Sequence, residues 1–236
     1  MEGLNSAQLE AVETIEGPLL IVAGPGSGKT RVITQRIAYL VRVCGVSPHS
    51  IAAVTFTNKA SREMRNRLER LLGARASDLT CGTFHSFCAM VLRIEGENLG
   101  LSRNFVIYDD TDQIDLIKRA MDEENISPKQ FEPRSVLAAI SNAKSKLLGV
   151  DGFGLKKEKY FDEIVHRIYK KYEQFLSRNS SVDFDDLLFK THTLFENFPS
   201  VIEKYQNRYS HVMVDEFQDT NIVQYAIGKK ISDKHH

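Results

Sequence analysis

The stretch GPLLIVAGPGSGKTR, residues 17–31, decides the fold class of this chain. A short apolar run at residues 19–22 predicts a buried strand, and the apolar positions after Arg31 recur with the period of a helix. Between them lie residues 23–30, AGPGSGKT, a glycine-rich loop that ends in Gly-Lys-Thr. A strand, a glycine-rich loop and a helix in this order are typical of a phosphate-binding loop.

The residue types of the loop suit the binding of a nucleoside triphosphate. Glycines let successive backbone N–H groups point at one anion, and the following helix adds the positive end of its dipole. Lys29 offers a charge to the outer phosphates, and the Thr30 hydroxyl can ligate Mg²⁺. Ala23 stands where the common pattern has glycine, and a glycine-rich turn can also simply join a strand to a helix. The predicted cofactor-binding residues here are Ala23, Gly24, Pro25, Gly26, Ser27, Gly28, Lys29 and Thr30.

A second segment, VMVDE at residues 212–216, supplies what hydrolysis would need beyond binding. An apolar strand delivers two carboxylates to the carboxyl edge of a sheet, where ligands of open α/β sheets bind. We expect Asp215 to hold Mg²⁺, directly or through water, and Glu216 to accept a proton from the attacking water. Acidic strand ends also occur on ordinary surfaces, but the combination with Lys29 and Thr30 favours a catalytic pair.

Composition sets limits on the function. Basic and acidic residues number 31 each, which argues against a protein that coats nucleic acid indiscriminately. Residues 31–75 nevertheless hold nine basic and two acidic residues, whereas residues 109–132 hold three basic and eight acidic ones. The first segment can face phosphates and the second cannot. No apolar run has the length of a membrane helix and no secretory signal is visible, so no membrane contact and a cytoplasmic location are expected.

The order of predicted elements indicates an α/β fold with a parallel sheet and a helical insertion. Strands are predicted at residues 19–22, 51–56, 79–84, 105–108 and 211–214, and a helix is predicted between each pair of the first four. From residue 110 the pattern is helical without a strand for about 90 residues, with a loop at residues 148–157. The expected domains are residues 1–109 with 197–236, and the inserted residues 110–196.

Five segments together resemble the superfamily 1 DNA helicases of the UvrD/PcrA/Rep type. They are LNSAQ (4–8), AGPGSGKT (23–30), TFTNKA (55–60), GTFHS (82–86) and DEFQDTN (215–221). The resemblance implies a RecA-like P-loop NTPase domain, 1A, interrupted by an all-helical subdomain, 1B. It also implies an ATP- and Mg²⁺-dependent 3′-to-5′ helicase that acts on single-stranded DNA and duplex junctions in repair or replication.

The resemblance further implies roles for individual residues. Gln8 would read the adenine edge, Arg31 would lie near the phosphates, and Gln218 would join Lys29 and Glu216 as a catalytic residue beside the γ-phosphate. The single-stranded DNA path would be lined by Phe56, Thr57, Asn58, Thr83 and His85. An aromatic ring can stack on any base, and hydroxyl and amide groups can hold phosphates. Phe56 alone could equally be a core aromatic at the end of a strand.

Two expectations concern the insertion and the rest of the protein. Basic residues of 1B either contact DNA or form a solvated helix face: Arg134, Lys144, Lys146, Lys156, Lys157 and Lys159. In the family a second RecA-like domain with catalytic arginines follows, so these residues are expected to be an N-terminal 1A–1B fragment that is weak or inactive alone. Alternatives are a subunit of a helicase–nuclease complex, or a passive binding module with a vestigial nucleotide site.

Overall fold

Parallel strands form the sheet that supports the candidate site. The computed structural model describes residues 3–156 and 159–235. The strands are β1 (Ile51–Thr55), β2 (Thr80–Thr83), β3 (Val106–Ile107), β4 (Ser181–Val182) and β5 (His211–Val214). The first sheet has the order β2-β1-β5, and both neighbours run parallel to β1. Every residue of β1 is buried, as expected for the central strand of a parallel sheet covered on both faces.

Helices make up most of the remaining structure. Their bounds are α1 (Ser6–Glu13), α2 (Lys29–Arg42), α3 (Asn58–Leu72), α4 (Phe84–Glu95), α5 (Asp110–Glu123), α6 (Pro133–Ser145), α7 (Val150–Gly154), α8 (Tyr160–Arg178), α9 (Phe184–Asn197), α10 (Pro199–Arg208) and α11 (Ile222–Ser232). Asn5 and Gln8 form a reciprocal capping box at the start of α1, and Gly73 follows the last residue of α3.

The chain divides into two compact units. The first unit comprises Met1–Phe87, Pro199–Thr220 and Tyr225–His236, and it contains the β2-β1-β5 sheet. Its core joins α2, α3 and the sheet through buried side chains such as Ile37, Met64, Leu68 and Met213. A smaller apolar cluster, Ala11, Val12 and Val32, packs α1 against α2.

The second unit comprises Cys88–Phe198 and Asn221–Gln224, and it is almost entirely helical. Its core is formed by α5, α6 and α8, with fully buried side chains such as Ile117, Ile140, Ile168 and Tyr172. Strands β3 and β4 pair in parallel and form a separate two-stranded sheet. The unit therefore has a hydrophobic core of its own.

A buried ionic cluster lies inside the second unit. The Lys144 ammonium contacts carboxylate oxygens of Glu173, Asp183 and Asp186 at 2.7, 2.6 and 2.8 Å, and Lys144 is 1% exposed. Burial alone would lower the pKa of Lys144, but the three carboxylates outweigh burial and raise it well above its usual value. These carboxylates are close enough together to hold a metal ion, but the Lys144 ammonium lies among them. The cluster links α6, α8 and the start of α9.

The predicted α/β class with a parallel sheet is confirmed. The domain limits predicted from the sequence stay a prediction. Within the described ranges, every helix is too short or too polar to pass through a membrane.

The prediction of a buried strand at residues 19–22 is wrong. The segment is not part of a sheet, and Leu20 and Val22 are 70% and 88% exposed. In the described part of the chain, β5 is the outer strand of its sheet, and its free edge is not bonded to the segment before the glycine loop. A strand forms only where its backbone bonds to a neighbouring strand, and residues 19–22 do not form such bonds with β5.

Other sequence predictions for the second unit also need correction. The strand predicted at residues 105–108 forms as β3, but it pairs with β4, which lies in the stretch expected to be free of strands. The loop predicted at residues 148–157 contains the short helix α7. Lys144 is buried in the ionic cluster and cannot contact DNA. Arg134, Lys146, Lys156 and Lys159 are exposed, and Lys157 lies outside the described residues.

We predict that Lys144→Met lowers the free energy of unfolding by about 3–5 kcal/mol, because removing the cation leaves buried carboxylates without their partner. Lys146→Met is the matched control, since Lys146 is exposed on the turn that follows α6, and its effect should stay within about 0.5 kcal/mol. Urea unfolding followed by circular dichroism measures both values. Equal effects of the two substitutions would contradict a structural role for the cluster.

Candidate nucleotide site

The glycine-rich loop forms an exposed turn that leads directly into α2. The Ser27 N–H donates to the Gly24 carbonyl at 3.3 Å, which closes the turn. Gly26 and Gly28 have φ angles of 76° and 87°, in the left-handed region that glycine adopts without strain. Gly28 is the N-cap of α2, so the free N–H groups of the first helical turn lie at the end of the loop. The loop and the start of α2 thus offer backbone N–H donors suited to an anion.

The Lys29 ammonium lies over the same loop. It donates to the Ala23 carbonyl at 3.1 Å and lies 3.5 Å from the Gly24 carbonyl oxygen. It is also 3.9 Å from a carboxylate oxygen of Glu216. The charge is therefore held between the loop and the end of β5, where it can meet a phosphate group.

Thr30 and Asp215 connect the two halves of the site. The Thr30 hydroxyl donates to the Asp215 carboxylate at 3.1 Å, although 185 positions separate them. Burial raises the pKa of Asp215, and the hydrogen bond from Thr30 opposes that change. A hydroxyl and a carboxylate are the hard oxygen ligands that Mg²⁺ prefers, so this pair fits the ion.

Glu216 has an unusual backbone conformation. Its φ and ψ angles are 51° and 47°, which is uncommon for a residue other than glycine, asparagine or aspartate. The Gln218 amide donates to the Glu216 carboxylate at 2.6 Å, and the Glu216 side chain is 42% exposed. Backbone strain of this kind often occurs at active sites, although Asn125, Leu147 and Ser180, which lie outside this site, also have positive φ angles.

Gln8 and Arg31 lie at the other side of the loop. The Gln8 amide donates to the Ser27 carbonyl at 2.9 Å, so the residue predicted to read adenine contacts the loop itself. Arg31 is exposed in the first turn of α2, and its guanidinium lies beside Gly3, where an added Cβ would come within 2.9 Å. The structure therefore brings Gln8, Lys29, Thr30, Asp215 and Glu216 together around one loop.

The residues predicted to line a DNA path follow the ends of β1 and β2. Thr57 is the N-cap of α3 and accepts from the Ala60 N–H at 3.1 Å, with Asn58 exposed as the first helical residue. Thr83 has the same role before α4, where its hydroxyl accepts from the Ser86 N–H at 3.2 Å. Two helix N-termini therefore follow neighbouring strands at one edge of the sheet.

The two ring side chains of this group differ in their environment. Phe56 is half-buried and meets Phe84 edge to face, with ring centroids 6.0 Å apart. This contact fits both a stacking platform and a core aromatic. Burial lowers the pKa of the His85 imidazole to about 4, so its ring is neutral at pH 7. His85 can thus offer a hydrogen bond or a flat surface to a nucleotide but not a charge.

Three supporting residues were not singled out from the sequence. The Ser86 hydroxyl accepts from the Thr83 N–H and donates to the Thr83 carbonyl, both at 2.8 Å. A Cβ at Gly82 would lie 2.4 Å from the Ser86 hydroxyl, which explains the glycine. Arg36 is buried and donates to carbonyls at the end of α1. Ser86 follows the pattern of a capping residue, but nothing in the sequence indicates the target of Arg36.

The chain is similar to a helicase family and to named DNA helicases. Residues 4–236 match the family described as UvrD/REP helicase N-terminal domain. The chain is 47% identical over 234 residues to the ATP-dependent DNA helicase PcrA of Bacillus subtilis strain 168. It is 48% identical over 231 residues to the ATP-dependent DNA helicase PcrA of Staphylococcus aureus strain Mu50.

The matches cover nearly all of this chain but only part of each relative. The alignments cover 99% and 98% of this chain but 32% of each relative, so the chain spans about a third of the length of these helicases. The family match, in contrast, spans nearly the whole chain. The chain therefore belongs to the UvrD/REP helicase N-terminal domain family.

Proposed function

We propose that this chain is the ATP-binding and ATP-hydrolysing part of a DNA helicase that moves 3′ to 5′ along single-stranded DNA during repair or replication. The observation that carries the proposal is the contact between Thr30 and Asp215, because it joins a phosphate-binding loop to a pair of carboxylates. A glycine loop alone would bind a nucleotide. A loop with carboxylates beside it can also hydrolyse one.

The proposed roles follow from the chemistry of the side chains. The loop N–H groups and Lys29 bind the phosphates, and Arg31 adds a charge near them. Thr30 and Asp215 hold Mg²⁺, which supplies positive charge against the phosphate oxygens when it is bound. Glu216 accepts the proton of the attacking water, and Gln218 orients the Glu216 carboxylate through the 2.6 Å hydrogen bond.

The proposed DNA path uses the two helix N-termini at the ends of β1 and β2. The N–H groups at the start of α3 and α4 carry partial positive charge, and such ends bind phosphates. Lys59 and Arg62 are exposed in the first two turns of α3 and add full charges. Phosphates of a single strand can lie along this edge while the Phe56 ring meets a base.

For these 236 residues on their own, we propose weak binding of Mg-ATP, slow turnover and no strand separation. Translocation takes two domains that close on ATP and open after hydrolysis, and each holds DNA in turn. The relatives named ATP-dependent DNA helicase are about three times as long, which leaves room for such a partner domain. Robust DNA-stimulated ATP hydrolysis by the 236 residues would contradict this part of the proposal.

We predict that Lys29→Ala lowers the affinity for Mg-ATP by about 10- to 100-fold, because one charge-assisted contact with phosphate is lost. Isothermal titration calorimetry with a slowly hydrolysed ATP analogue measures the change. Lys170→Ala, at an exposed position of α8, is the control and should bind as the unmodified chain does. Unchanged binding by Lys29→Ala would remove this residue from phosphate binding, whereas unchanged activity of the full-length protein with Lys29→Ala would favour a vestigial site and a passive binding module.

We predict that Glu216→Gln keeps ATP affinity within about threefold but lowers hydrolysis by about 10²-fold or more, because the amide cannot accept the proton of the attacking water. Phosphate release with protein in excess over ATP measures the rate in a single turnover. Asp219→Asn changes an exposed carboxylate in the same turn and should keep the normal rate. Normal turnover by Glu216→Gln would remove this residue from the role of base.

We predict that the affinity for single-stranded DNA falls steeply as salt rises, because phosphate contacts release bound counterions. Lys59→Ala should reduce the slope of log K against log salt concentration by about 0.7, the contribution of one phosphate contact to a single strand. Fluorescence anisotropy with a labelled oligonucleotide at several salt concentrations gives the slope. A slope that does not depend on Lys59 would indicate that DNA lies elsewhere.

A further inference from the structure

The Gln8 side chain ties α1 to the phosphate-binding loop through an amide of fixed orientation. Its Nε2 donates to the Ser27 carbonyl at 2.9 Å, and its Oε1 accepts from the Asn5 N–H at 3.0 Å. One neighbour is a backbone acceptor and the other a backbone donor, so only one orientation of the amide satisfies both. The contact with the loop is close, since a Cβ at Gly28 would lie 3.4 Å from Nε2.

This contact controls the direction of a loop N–H group. The peptide plane that carries the Ser27 carbonyl also carries the Gly28 N–H, and in a trans peptide the two groups point in opposite directions. Holding the carbonyl toward Gln8 therefore turns the Gly28 N–H away from Gln8, toward the other side of the loop. Gly28, with φ at 87°, has the freedom to let this plane rotate if nothing holds it.

The opposite end of α1 is fixed as well, so Gln8 stands on a rigid support. The buried Arg36 guanidinium of α2 donates to the Ala11 carbonyl at 2.8 Å and also to the Thr14 carbonyl. Val12 is fully buried against α2. A closed ring of contacts results, which runs from the loop through α2 and Arg36 to α1, and back through Gln8 to the loop.

We infer that Gln8 is a positioning residue for the phosphate-binding loop, and that α1 supports the loop through it even when no base is bound. This inference rests on the proposed nucleotide site and adds to the adenine contact of Gln8. The amide has a second N–H and a second lone pair, so adenine can be read while Ser27 and Asn5 stay bound. The ligand class that reveals the role is an inorganic polyphosphate, which has phosphates and no base.

The test compares inorganic tripolyphosphate with ATP, both with Mg²⁺, on the 236-residue chain by calorimetry. Gln8→Met is neutral and similar in size, and we expect it to lower affinity for both ligands by about 3- to 10-fold, the effect of one hydrogen bond. Ala7→Met is the control, because it places the same side chain at the neighbouring exposed position of α1 and leaves the Gln8 side chain unchanged. Its tripolyphosphate affinity should change less than about twofold. If Gln8→Met weakens ATP alone, Gln8 only reads the base and the inference is wrong.

A second variant tests the support from the far end of α1. Arg36→Met does not touch the loop, yet we expect tripolyphosphate affinity to fall by a similar factor at a temperature where thermal unfolding shows the variant to be folded. Unchanged affinity in that folded variant would overturn the role of α1. Failure of the unmodified chain to bind either ligand would instead overturn the proposed nucleotide site itself. The two failures are therefore distinguishable.

Discussion

The hydrogen bond between Thr30 and Asp215 is the contact on which the candidate site depends. It joins the first turn of α2 to the end of β5, and its partners are 185 positions apart in the sequence. The β2-β1-β5 sheet makes the contact possible, because β1 pairs with β5 and the Asp215 N–H continues that ladder to the Val54 carbonyl at 3.0 Å. The residues proposed to bind phosphate and the carboxylate proposed to accept a proton therefore lie close together, although they come from different segments of the chain.

The second unit, most of which lies between Thr30 and Asp215 in the sequence, is stabilised by interactions of its own. The second unit has a hydrophobic core of its own, and Lys144 joins three of its elements through buried ion pairs. A buried cation with three carboxylates contributes little net stability compared with apolar packing, but it tolerates few alternative arrangements. The long insertion therefore has interactions that stabilise it independently of the candidate site.

Short-range sequence patterns predicted much of the structure, whereas the pairing between distant segments could not be predicted from the sequence. The glycine loop and the carboxylates after β5 follow from neighbouring residues, and the α/β class with a parallel sheet is confirmed. Residues 19–22 have the composition of a strand, but a strand must pair with another strand, and the amino-acid composition does not identify that partner. The same limit hid the pairing of β3 with β4 and the buried state of Lys144, whose partners lie about 30–40 positions away.

The charged side chains of the candidate site contact one another, so a nucleotide that binds there has to replace some of these contacts. Lys29 donates to the Ala23 carbonyl and approaches Glu216, while Gln218 bonds the same carboxylate. Each contact is partly exposed, so exchanging it for a phosphate oxygen costs about the 0.5–1.5 kcal/mol of a single hydrogen bond. A carboxylate held near Lys29 also repels an incoming phosphate. If the site binds a nucleotide as proposed, the phosphate oxygens therefore compete with the Glu216 carboxylate for the Lys29 ammonium, while Gln218 keeps its own bond to that carboxylate.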